Sequence, residues 1–80
     1  MYKRNSIETI SDFEVDFIFK FIKLRNELGL TQKEMADKSN VLRDKIAKIE
    51  GGYYSPNIKS LAKILEPLGY RLEIVKKDKN

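Results

Sequence analysis

Residues 24–52 read LRNELGLTQKEMADKSNVLRDKIAKIEGG, and this stretch decides the fold. Thr31 and Glu34 have the S/T-x-x-E spacing of a capping box, in which the hydroxyl takes an orphan backbone N–H and the carboxylate reaches back to the cap's own N–H. Gly29, just before, is the usual left-handed stop for a preceding helix. Ser39-Asn40-Val41 reads as a short turn, because asparagine tolerates positive φ. Ile46 and Ile49 then lie three apart, as the buried side of a new helix requires. Two short helices joined by so tight a turn form a helix-turn-helix. Such a unit holds its second helix out from the domain, at a diameter that fits the DNA major groove.

Outward from that stretch, the chain reads as one domain with two flanks: an N-terminal segment over 1–12, a helical domain over 13–69 and a strand and tail over 70–80. Phe13, Phe17, Phe21, Leu24 and Leu28 recur at helical steps and mark an apolar stripe on a helix capped by Ser11 or Asp12. Gly51 to Pro56 is a loop by its glycine and proline content. Asn57 is a good cap for a further helix carrying Ile58, Leu61, Ala62, Leu65 and Leu68. Pro67 has no N–H to return to Lys63, so that helix loosens before Gly69 closes it. Tyr70, Leu72 and Ile74 alternate with Arg71 and Glu73, a period-two strand signal. The expected class is therefore mainly all-α: four to five helices and a short C-terminal β-strand. A lone strand needs a ladder partner, so Tyr70, Leu72 and Ile74 are expected to pair with a second copy across a two-fold axis, the alternative being a frayed tail.

Eighty residues allow one small domain, which buries only roughly 60% of its unfolded surface. The chain has no cysteine and no histidine, so disulfides, the usual zinc sites, and thiol or imidazole catalysis are absent. No enzyme, metal or cofactor is expected. No apolar run approaches the ~20 residues of a membrane span and no signal peptide is visible, so the cytoplasm is the expected location. The net charge is +4, and the basic excess lies entirely in residues 23–80. That is consistent with a nucleic-acid partner.

The central stretch resembles the helix-turn-helix of the phage-repressor and Cro family, whose pattern runs close to L-R-x-x-x-G-L-T-Q-x-E-L-A-x-x-x-G-V-S-x-x-x-I-x-x-I-E-x-G. The match holds without a gap at Leu24, Arg25, Gly29, Leu30, Thr31, Gln32, Glu34, Ala36, Val41, Ile46, Ile49, Glu50 and Gly52. Met35 replaces a leucine, Asn40 a glycine, and Leu42 the serine that normally caps the recognition helix. Leucine accepts no hydrogen bond, so that helix end forgoes ~1 kcal/mol.

The resemblance implies a set of contacts. Leu42, Arg43, Asp44 and Lys48 fall at positions that reach base edges. Arginine makes a bidentate bond to guanine and aspartate accepts from a cytosine amino group. Thr31, Gln32 and Lys33 fall at a phosphate clamp on a helix N-terminus. Tyr53, Tyr54 and Ser55 fall near a second phosphate-contacting loop. Arg25 and Glu50 match a semi-buried structural salt bridge. Read without the family, the same charged residues are a solvated helix face.

Val15, Ile18, Phe19 and Ile22 are apolar on faces of the first helix that the motif's core does not need. Either Ile7 and Ile10 fold back over them, or a partner protein covers them. The ending LGYRLEIVKK and the helical extension before the motif resemble short antitoxins of the HigA and HipB type. The expectation is thus a homodimeric DNA-binding repressor of a two-fold operator and the antitoxin of a toxin–antitoxin pair, with a cognate toxin as partner. The alternatives are a stand-alone phage-type regulator, or an interaction module that has lost DNA binding.

Overall fold

The computed structural model describes residues 12–77. Among them it is all-helical: α1 spans Asp12–Glu27, α2 Gln32–Ser39, α3 Arg43–Glu50 and α4 Ile58–Leu65, with a 3₁₀ turn at Glu66–Leu68. The expected cap at Ser11 and the fold-back of Ile7 and Ile10 lie outside the described residues.

Local chemistry sets each boundary. The α1–α2 turn passes through Gly29 at φ +72°, where the Leu30 N–H bonds back to the Arg25 carbonyl at 3.1 Å. Helix α2 starts on a complete capping box. The Thr31 hydroxyl accepts the Glu34 N–H at 3.0 Å, and the Glu34 carboxylate accepts the Thr31 N–H at 2.8 Å. It ends at Asn40, whose φ of 58° is left-handed, a conformation asparagine tolerates better than most residues. Helix α3 starts at Leu42 with no side-chain cap. Asn57 caps α4 by accepting the Ser60 N–H at 2.8 Å.

Phe21, Met35, Ala36, Ile46, Ile49, Ile64 and Leu65 form the core, with Phe17, Leu24, Leu30, Val41 and Leu68 packed around it. Every helix contributes to it: α1 lays Phe21 across the α2–α3 unit, and α4 closes it from beneath. The Ser39 hydroxyl is buried and donates to the Ile64 carbonyl at 2.9 Å, stitching α2 to α4. The expected stripe on α1 is buried only in its middle, because Phe13 runs past the packed body and is 85% exposed. On α4, Ile58 is 75% exposed at the first turn, while Ile64 takes the fully buried place.

The expected C-terminal strand is absent. Residues 70–77 run without a ladder, and no β-strand occurs among the described residues. The first donor of the expected ladder is already in use. Gly69 turns left-handed at φ +89°, and the Tyr70 N–H bonds back to the Leu65 carbonyl at 3.0 Å. Tyr70 therefore completes the helix terminus, and the residues beyond it have side-chain alternation but no ladder partner for their backbone groups. Leu72 and Ile74 instead border a broad groove whose other walls are Phe13, Phe17 and Ile18 of α1 and Pro56 of the loop. The mainly all-α expectation with a strand is corrected to an all-helical one, and the strand-paired dimer with Tyr70, Leu72 and Ile74 falls with it.

Candidate nucleic-acid interface

Helix α3 buries Ile46 and Ile49 and turns Arg43, Asp44 and Lys48 to solvent. Ala47, three residues beyond Asp44 and four beyond Arg43, lies on that same side. Sequence reasoning passed over it because a small apolar residue gives no chemical signal. Here its small size leaves the helix backbone free to approach a surface closely. Lys45 turns away from this side, and its Nζ lies 5.8 Å from the centre of the Tyr54 ring.

A polar chain runs from the interior to this surface. Arg25 donates from Nε to Glu50 at 2.7 Å and from a terminal nitrogen to the other carboxylate oxygen at 3.0 Å. Its remaining terminal nitrogen donates to the Leu30 carbonyl at 2.9 Å. The pair is 14% and 7% exposed, and its fork-to-fork geometry is the strong form of such a bond. The hydrogen bond to Glu50 raises the Arg25 pKa, opposed by burial and aided by the Glu50 charge. Glu50 also accepts the Gln32 amide at 3.0 Å, and the Gln32 carbonyl accepts from Arg43 at 3.1 Å. Residues far apart in sequence therefore fix one another: a half-buried ion pair orients Gln32, and Gln32 orients the exposed Arg43. The Arg25–Glu50 pairing was legible from the motif; the Gln32–Arg43 link was not, since nothing local in sequence announces it.

The remaining candidates divide. Asp44 and Lys48 pair with each other at 3.1 Å, as do Lys33 and Asp37, both pairs well exposed. Exposed i,i+4 pairs are worth about 0.3–0.5 kcal/mol, so either lysine is easily transferred to an outside anion. Thr31 and Gln32 sit at the start of α2, beside Arg43 of α3. Tyr53 is exposed, and the edge of its ring lies over Gly51. Ser55 faces another way, donating to Glu14 on α1 at 2.8 Å, which places a carboxylate beside it. Leu42 is 78% exposed at the start of α3. The structure thus brings Thr31, Gln32, Arg43 and the Asp44–Lys48 pair to one side, and ties Ser55 to α1. Among the described residues no group of acidic side chains could hold a metal ion, and no helix is long and apolar enough to cross a membrane.

The helix-turn-helix family profile matches residues 21–75, most of the chain. The chain belongs to the helix-turn-helix family. A curated relative from Haemophilus influenzae is 40% identical over 65 residues, covering 81% of this chain and 66% of its own. A second, from Methanothermobacter thermautotrophicus, is 44% identical over 45 residues, covering 56% of this chain and 65% of its own. Both are described as uncharacterized HTH-type transcriptional regulators, and this chain spans just under two thirds of the length of each. Among solved structures, a toxin–antitoxin module from Streptococcus pneumoniae aligns with a TM-score of 0.63 at 34% identity, covering 84% of this chain and 74% of that one. In this helix-turn-helix chain the residues matching the family's string run from Leu24 and Arg25 at the end of α1 through the α2–α3 unit to Gly52.

Proposed function

We propose that this helix-turn-helix protein is a sequence-specific DNA-binding transcriptional repressor acting as a homodimer, and that it is the antitoxin of a toxin–antitoxin pair. The observation that carries the DNA reading is the outward side of α3, with Arg43 aimed by Gln32 and Lys48 beside it. Arg43 is assigned as the guanine reader, with Asp44 and Lys48 as further base-edge contacts. Thr31, Gln32 and Lys33 at the start of α2 are assigned to phosphate, with Tyr53 and Tyr54 at the second contact. A two-fold operator places two copies of α3 in successive major grooves, roughly 34 Å apart, which is the reason for a dimer.

The antitoxin reading is supported by the likeness to the pneumococcal toxin–antitoxin module and by the apolar extension of α1. Val15, Ile18 and Ile22 are half-buried there, and Phe19 is 68% exposed. These four are assigned as the surface that meets the toxin. Both curated relatives are described as HTH-type transcriptional regulators, which fits equally a second reading, a regulator without a toxin partner.

Two experiments test these readings. Titrating the chain on a duplex selected from a randomised pool, and on its point variants, should show Arg43→Ala losing preference at one base position while Gln32→Ala weakens every sequence alike. Equal loss on every variant for Arg43→Ala removes its assignment. For the partner, Ile18→Asp with Ile22→Asp should abolish binding to the product of the adjacent gene and spare DNA binding. Retained partner binding removes the face, and no binding by the parent chain favours the second reading.

A further inference from the structure

Most of the large exposed apolar side chains of this chain gather in one place. Phe13 of α1, Ile58 of α4, and Leu72, Ile74 and Val75 of the tail all border the groove described above, and each is exposed, Ile74 completely. Side chains of this size carry on the order of 150–200 Å² each, so the five offer roughly 600 Å², the upper end of what a monomer leaves to water. The groove encloses about 1590 Å³. Small-molecule pockets run to about 1,000 Å³, so this space suits a protein face better than a small ligand.

Charge identifies that face. At the α1 end, Asp12 and Asp16 flank Phe13, and Glu14 accepts the Ser55 hydroxyl. At the tail end, Arg71, Lys76 and Lys77 flank the apolar residues, with Glu73 among them. Within one copy Lys20 offsets Asp16 and Glu73 offsets Arg71. What remains is Asp12 at one end and Lys76 and Lys77 at the other. A partner covering the whole groove therefore needs apolar residues between a basic and an acidic end, in the opposite order. A second copy turned about a two-fold axis presents that arrangement, each acidic α1 end facing the basic tail of its mate. Arg43, Asp44 and Lys48 do not line the groove, and neither do Val15, Phe19 and Ile22. Covering it leaves both the DNA side and the other side of α1 open.

From this juxtaposition of exposed apolar residues and opposite charged ends, resting on the homodimer reading above, we propose that the groove is the homodimer interface. Each copy seats Phe13 against Ile58 and Ile74 of the other, with acidic α1 ends set on basic tails. The tail then serves the dimer through its side chains, with no backbone ladder required of it.

Sedimentation equilibrium of the full chain reads this directly. Phe13→Glu should raise the dimer dissociation constant about a hundredfold, since one buried apolar side chain is worth about tenfold or more and a two-fold axis counts it twice. Phe13 is exposed within one copy, so circular dichroism should show the parent's helix content. Asp12→Lys with Asp16→Lys, and separately Lys76→Glu with Lys77→Glu, should each be mainly monomeric alone. Mixed, the two should form a one-to-one dimer, because reversal on both sides restores unlike charges at both ends. A parent that dimerises while all three variants dimerise equally well overturns the proposal and leaves the homodimer reading standing. Charge variants that separate but do not recombine overturn it too. So does Phe13→Glu losing the product of the adjacent gene with self-association intact, since the groove then belongs to a foreign partner. A monomeric parent overturns the homodimer reading itself.

Discussion

Helices α2 and α3 are both eight residues long and adjacent in one motif, yet they begin in opposite ways. The start of α2 is closed: Thr31 and Glu34 satisfy each other's backbone groups, and Gln32 is held by Glu50 and Arg43. The start of α3 is open, with an exposed leucine where a capping oxygen belongs. A helix that must stay fixed as a platform commits its polar groups to itself. A helix that meets a ligand leaves its first turn uncommitted. Under the proposed function, base reading falls to the open end and anchoring to the closed one, and each can be broken separately.

The largest effect is expected where the platform is anchored. Arg25→Ala leaves the Glu50 carboxylate half-buried without its cation and releases Gln32, which should cost about 3 kcal/mol in urea unfolding. The pair cannot be probed by alkali instead. Its arginine pKa is raised above an already high ordinary value, so the contribution is complete below that ordinary value and is lost only as pH rises through the higher folded one. Next is Arg43→Ala, expected to cost about 2 kcal/mol of discrimination at one base position with little change in unfolding midpoint. A loss of stability comparable to that of Arg25→Ala would show that the open end is structural after all. Thr31→Ala should cost about 1 kcal/mol of stability, read by thermal unfolding. Smallest, and opposite in sign, Leu42→Ser should gain about 0.5–1 kcal/mol by closing the open end. A Leu42→Ser chain less stable than its parent would mean that the leucine packs against something the isolated helix does not reveal.

How much of this was legible in sequence depended on the range of the interaction. The capping box, the Asn40 turn, the Asn57 cap and the loosening at Pro67 are decided by residues within a few positions of one another, and each could be read directly. The Gln32–Arg43 bond and the burial of the Ser39 hydroxyl against Ile64 depend on how helices cross, which no local pattern encodes. Phe13 and Ile58 fit their helical stripes but lie where each helix overruns the packed body, so periodicity marked a side without marking its extent. The strand over Tyr70–Val75 failed for a different reason. Alternation describes side chains, whereas a strand is made by backbone pairing, and the Tyr70 amide was already needed to finish the preceding helix. At the candidate interface, Arg43 and Gln32 were found from the motif. Ala47 was missed because small size is a signal only once the surface is known. The tie of Ser55 to Glu14 joins residues 41 positions apart.

The Asp44–Lys48 pair on the outward side of α3 has a consequence for ionic strength. Under the proposed function, when Lys48 turns from Asp44 to the duplex a counterion leaves the DNA, but the deserted carboxylate then faces a polyanion and recruits a cation of its own. Ion release from one surface is offset by ion uptake on the other. The slope of log affinity against log salt should therefore be shallower than about 0.9 per phosphate contact. Asp44→Asn, which leaves nothing to recruit the second cation, should steepen it.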